Sequence, residues 1–162
     1  MATMSLEWRL VGYGWADCTV ADAENKVRVT ASYITDAPEE LLTAVARLVV
    51  GEAETRVQFE AEPTAFRWIF SRGGGDVWVR IVRLTNGDRP DKAGTEIWSS
   101  RQTVDSVARA VIRCFDEVAQ RHGEGGYHGT WRSPFPRFEL EALRTAWRNR
   151  PTTDPGGNPP NP

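Results

Sequence analysis

A chain of 162 residues with 40% hydrophobic and 26% charged residues has the size and make-up of one ordinary globular domain. Its 20 Lys plus Arg against 22 Asp plus Glu, a net charge of −2, exclude the basic footprint of a nucleic-acid binder and the polybasic surface of a membrane-associated protein. Seven Trp and six Phe supply the large apolar pieces that a disordered chain lacks.

From Leu6 to Val20 the even positions Leu6, Trp8, Leu10, Ala16, Cys18 and Val20 are apolar or small and alternate with mostly polar ones, so a strand is expected, bent or bulged at Gly12 and Gly14. After a turn at Ala23 to Asn25 a second strand places Val27, Val29, Ala31 and Tyr33 on one face. A helix follows, with Asp36 as its cap and Glu39 closing a capping box, and with Leu41, Leu42, Val45, Leu48 and Val49 as its apolar stripe. Val57, Phe59 and Ala61, then Phe66, Trp68 and Phe70, then Val77 to Leu84, read as a meander with a hairpin at Gly73 to Asp76. A loop through Asn86, Gly87 and Pro90 leads to a strand at Thr95 to Ser100. Thr103 caps the strongest helix, striped by Val104, Val107, Ala108, Val111, Ile112, Phe115 and Val118 and ended by Gly123. Gly125 to Pro136 reads as a loop, and Arg137 to Arg148 as a short helix with Phe138, Leu140 or Glu141 partly facing in, then Leu143 and Trp147. Residues 1–150 thus make one α+β domain, and residues 151–162, with five Pro and two Gly, a disordered tail. The order ββ-α-ββββ-α-α implies a single antiparallel sheet of about six strands, two main helices packed on one face, and a short C-terminal helix.

Two cysteines, Cys18 and Cys114, are too few for a disulfide framework; both lie in apolar-periodic segments and are expected as buried free thiols. The chain opens without the basic and apolar regions of a signal peptide, and its longest apolar stretch, Leu41 to Val50, is broken by Arg47, so the expected place is the cytoplasm and no membrane is implied. Of the 20 cations 18 are Arg, spread along the whole chain, which reads as genome composition.

No nucleophile elbow, phosphate loop, dinucleotide fingerprint or HExxH is present, and no motif implies a cofactor or a metal. His122, Glu124 and His128 form HxExxxH, but the PCxxC half of a deaminase signature is missing. Asp17, Asp22, Glu60 and Glu62 have no spacing that pairs two carboxylates on one face. No catalytic residue is assigned.

Two features stand above this background. If Val77, Val79 and Ile81 face the helices, Trp78, Arg80 and Val82 face away, and the same reading turns Tyr13, Trp15, Glu96 and Trp98 outward. Trp and Arg are enriched at interface hot spots, so this second sheet face is covered by the C-terminal segment, by a protein partner, by a second copy or by a small ligand. The other feature is the aromatic segment Tyr127, His128, Trp131 and Phe135, read as a loop pinned to the core or as a binding lip.

Gly125-Gly126-Tyr127, Trp131, Pro134-Phe135-Pro136, Leu140 and Leu143, with Gly14-Trp15-Ala16-Asp17, resemble a set of uncharacterised proteins of high-GC actinobacteria from about Trp8 to Trp147. The resemblance implies a shared fold and no activity. The expected function is a non-enzymatic binding or protein-interaction domain, with immunity proteins and secretion chaperones as size-and-class analogies. The alternative is a small enzyme or ligand binder with a pocket between the sheet and residues 127–136. The binding candidates are Tyr13, Trp15, Trp78, Arg80, Trp98, Tyr127, His128 and Trp131.

Overall fold

The computed structural model describes residues 3–151. The expected tail beyond Pro151 lies outside them.

The N-terminal alternation forms two strands, β1 (Ser5–Leu10) and β2 (Trp15–Ala21), joined by a reversal in which Gly12 (φ 79°) and Gly14 (φ 74°) hold left-handed conformations that glycine adopts without strain. The register sets Trp8 opposite Cys18 and Leu10 opposite Ala16. Even positions therefore stay on one face through the turn, which is why the pattern reads as a single strand. β3 (Lys26–Ser32) pairs with β2 and completes an antiparallel sheet of order β1-β2-β3.

The helix α1 (Ala37–Val49) follows β3, and its buried residues include Leu41, Leu42, Val45, Leu48 and Val49. The expected capping box is absent: Asp36 makes no side-chain cap hydrogen bond, and Pro38 in the first turn supplies the preset helical φ instead. β4 (Glu54–Glu60), β5 (Ala65–Gly73), β6 (Asp76–Leu84) and β7 (Thr95–Thr103) form a second antiparallel sheet, in that order. The Gly73 to Asp76 hairpin forms as expected, with Gly73 directly opposite Asp76.

The fold is α+β and antiparallel in the expected element order, but the one sheet of about six strands is two sheets, of three and four strands. With α1 inserted between them, β3 and β4 touch without pairing. The two sheets share a core instead of an edge. Against the sheets, α1 packs on β4 and α2 (Val104–Trp131) chiefly on β1, while α3 (Arg137–Arg148) lies against both helices, most of all α1. One buried cluster draws on both sheets and all three helices.

α2 also departs from the expectation. Thr103 caps it as expected, accepting from Ser106 N–H at 3.0 Å. Gly123 (φ 66°, ψ 163°) leaves the helical conformation and ends the first helical run as expected, but the chain turns helical again beyond it, and the expected loop from Gly125 is helical to Trp131. Glycines disfavour a helix here, but Tyr127 and Trp131 are one turn apart and both fully buried. Tyr127 packs edge-on against Phe135 at 5.3 Å and Trp131 against Trp8 at 5.4 Å. Burial of two such rings outweighs the propensity cost of the glycines.

α3 is fastened by Arg144, whose guanidinium binds both Asp116 oxygens, and by Trp147 Nε1–H donating to Asp105 at 2.8 Å. Leu140 and Leu143 face inward, but Phe138, expected partly inward, is 81% exposed, because the buried stripe of α3 runs through 140 and 143. Among the described residues no helix is long and apolar enough to cross a membrane.

These contacts make Trp131 a core residue. Trp131→Ala is expected to lower the unfolding free energy by about 3–5 kcal/mol, against under about 0.5 kcal/mol for an exposed loop residue. Urea denaturation of the two proteins measures the difference.

Candidate functional site

The outer face of the four-stranded sheet is laid out by its register. One row runs Glu54, Ser71, Trp78, Arg101, and the next Arg56, Ile69, Arg80, Ser99. Beyond them lie Gln58, Arg67, Val82 and Glu96, then Glu60, Ala65 and Leu84.

The chain covers the farther rows itself, with the segment 85–94. Arg67 donates to Gly87 O at 3.0 Å, Arg89 O at 2.9 Å and Asp91 Oδ1 at 2.8 Å, and Arg56 reaches Asp91 at 2.9 Å. These contacts hold the segment against the sheet. Ala65, Ile69, Val82 and Leu84 are buried as a small second cluster. The paired arginines draw the Asp91 carboxyl below the usual carboxylate range, against a burial effect that opposes them.

The row of Trp78 stays open, and with it Arg80 in the next, whose Ile69 is buried. Trp78 is 42% exposed. The Arg80 guanidinium lies 5.1 Å and that of Arg101 5.8 Å from its ring, cation–π contacts that orient all three side chains. Arg80 is also paired with Glu96 at 2.7 Å. Arg101, which the alternation does not single out, is exposed and has no ion pair among the described residues.

Trp98 is not on this face. A bulge in β7 sets Glu96 opposite Val82 and Trp98 opposite Ile81, so Ile97 is the extra residue and parity reverses across it. Glu96 points outward as expected, and Trp98 is buried in the core with its Nε1–H donating to Asn25 O at 3.2 Å. The same reversal turns Ser100 and Gln102 inward. Ser100 Oγ–H donates to Asp22 at 2.6 Å and Gln102 Nε2–H to Ser100 at 2.8 Å, a polar link from β7 to the β2–β3 turn.

Tyr13 and Trp15 belong to the other sheet. Trp15 is half-buried at the start of β2, opposite Ser32. Tyr13, 76% exposed in the glycine turn, lines a shallow depression with His128 and Arg132. Beside it Tyr33 and Ile34 are exposed, with Arg132 5.6 Å from the Tyr33 ring; the alternation of the second strand gives these two no outward assignment. Tyr127 and Trp131 lie in the core, so the segment expected as a lip fills space that a pocket beneath it would need.

The chemical candidates do not converge. Among the described residues no three His, Cys, Asp or Glu side chains gather as metal ligands, and Glu124 is taken by Arg137 at 2.9 Å. Asp17 accepts from Thr30 at 3.2 Å, Asp22 from Ser100, and Glu60 from Gln58 at 2.6 Å, each on a different element. Cys18 and Cys114 are buried free thiols, as expected, and burial pushes both well above the usual thiol range.

One titratable group stands apart. Glu39, in the first turn of α1, has a buried Oε2 without a hydrogen-bond partner, and burial, with Asp36, Glu139 and Glu40 nearby, pushes it up to about 7. The folded chain holds this proton more tightly than the unfolded chain does, so the stability linked to it is complete below about pH 4.5 and lost as pH rises toward 7. Glu39→Gln is expected to stabilise the protein at pH 8 by about 1 kcal/mol, allowing for partial exposure to water, and to have no effect at pH 4. Thermal melts at the two pH values check this.

No family model matches the chain, and no curated protein is similar to it. A chain of the CdiA-CT/CdiI toxin and immunity complex from Enterobacter cloacae is similar in structure, with 10% identity, a TM-score of 0.47, and coverage of 72% of this chain and 99% of that chain.

Proposed function

We propose that this chain is a protein-interaction domain that docks a partner through the open rows of its four-stranded sheet. The observation that carries the reading is Trp78: a half-exposed indole with two guanidiniums near its ring, on a face whose buried apolar residues the chain covers itself. Leaving such a ring in water forgoes roughly 1.5–3 kcal/mol of burial. Trp and Arg together are the side chains that most often dominate binding energy. The β5–β6 hairpin and the β6–β7 pairing hold the site on rigid elements, so little ordering entropy is lost on docking.

The experiment separates stability from association. Trp78→Ala is expected to cost the isolated protein under about 1 kcal/mol, because the ring is not in the core. Pull-down from the native host with wild-type and Trp78→Ala baits is expected to lose a partner with the variant. A loss of 3–5 kcal/mol, the cost of deleting a core Trp, independent of protein concentration, would contradict the reading.

A further inference from the structure

We propose that the open strip receives a segment of a partner protein that carries a single carboxylate, seated on Arg101, with an adjacent apolar side chain against the exposed part of Trp78. This rests on the docking reading above and adds the partner's chemistry.

The arginines of this face differ in what they have left to give. Arg56 and Arg67 are held by Asp91, and Arg80 by Glu96. Arg101 alone among these four has no ion pair among the described residues. Its guanidinium lies over the indole, so the planar fork of N–H donors is already oriented. A carboxylate binds such a fork with two parallel hydrogen bonds. Beside it lies a recess of about 320 Å³ lined by Ser71, Arg72, Gly73, Asp76, Trp78 and Arg101, in which the Arg72 guanidinium is already spent on the carbonyls of Gly74 and Leu48. It is shallow and borders the ring, as an apolar side chain next to the carboxylate requires.

The surrounding charges narrow the choice. Asp76 is two residues from Trp78 on the same side of β6, Glu54 ends the same row, and Glu96 lies beyond Arg80. A nucleic-acid strand carries a phosphate at every nucleotide and would meet these three carboxylates along with the single free arginine. A basic segment would meet Arg80 and Arg101. A single carboxylate beside an apolar residue presents one charge, not a row of them, to these three acids, and it can sit on the Arg101 fork, which none of them pairs with.

The test uses the intact chain, immobilised and panned with a phage-displayed library of random peptides. Selected peptides are expected to carry Asp or Glu within one or two residues of an aliphatic or aromatic residue. Their binding should weaken about tenfold in Arg101→Gln, as for loss of a charge-assisted bidentate contact, and fall with added salt. A peptide with Lys in place of the acid should bind Arg101→Glu better than wild type. A misfolded variant could not show that gain. Peptides that need Trp78 but carry no acid and ignore Arg101→Gln would overturn the acidic partner and leave the docking face standing. Selection of no peptide weakened by Trp78→Ala would overturn both. Binding of a single-stranded oligonucleotide that Arg101→Gln abolishes, or self-association that Trp78→Ala abolishes, would assign the face to nucleic acid or to a second copy and overturn the proposal.

Discussion

Trp8 is where the two sheets are joined. Its ring lies 5.8 Å edge-on from Phe59 of the four-stranded sheet, 5.8 Å from Phe115 of α2 and 5.4 Å from Trp131 beyond the α2 kink. β1 thus reaches the other sheet through side chains instead of backbone pairing, and both sheets turn their apolar faces to one volume. Phe59 continues the contact to Trp68 at 5.3 Å, and Trp68 to Phe70 at 6.1 Å. The arrangement has a polar cost. The indole N–H groups of Trp8, Trp68 and Trp131 are buried without hydrogen-bond partners, as is the Tyr127 hydroxyl. Each such group costs roughly 1–3 kcal/mol, which burial of the large rings has to exceed.

That core decides what is left outside. The Trp8 cluster draws Tyr127 and Trp131 inward, and the β7 bulge draws in Trp98. The outer face of the four-stranded sheet retains one tryptophan, Trp78. The segment 85–94 then covers Val82 and Leu84, pinned there by Arg56 and Arg67 through Asp91. The division between a covered half and an open half of one sheet face follows from these contacts, and the open half carries the functional proposal.

Much of this was legible in the alternation and helical periodicity, and the failures have physical causes. The strands, the Thr103 cap, the Gly73 hairpin and the outward direction of Trp78, Arg80 and Val82 follow from local pattern. The β1–β2 reversal is invisible to a period-two reading because pairing Leu10 with Ala16 preserves parity across the turn. The bulge at Ile97 reverses parity with no local mark, which misplaces Trp98 and hides Arg101. Gly125, Gly126 and Gly129 suggest a loop, yet the four-residue spacing of Tyr127 and Trp131 was a helical signal that outweighed them once both rings met the core. That a polar segment with Pro90 folds over Val82 and Leu84 depends on contacts distant in sequence, which pattern does not encode.

Trp78 stands clear of the packing of the described residues, while the core tryptophans do not. Hydroxyl-radical footprinting of the intact protein at low concentration, read by peptide mass spectrometry at each of the seven tryptophans, tests it directly. Oxidation is expected fastest at Trp78, slower at the half-buried Trp15 and Trp147, and minimal at Trp8, Trp68, Trp98 and Trp131. Protection of Trp78 equal to that of Trp8 would contradict the account, since the indole would then already be covered without a partner.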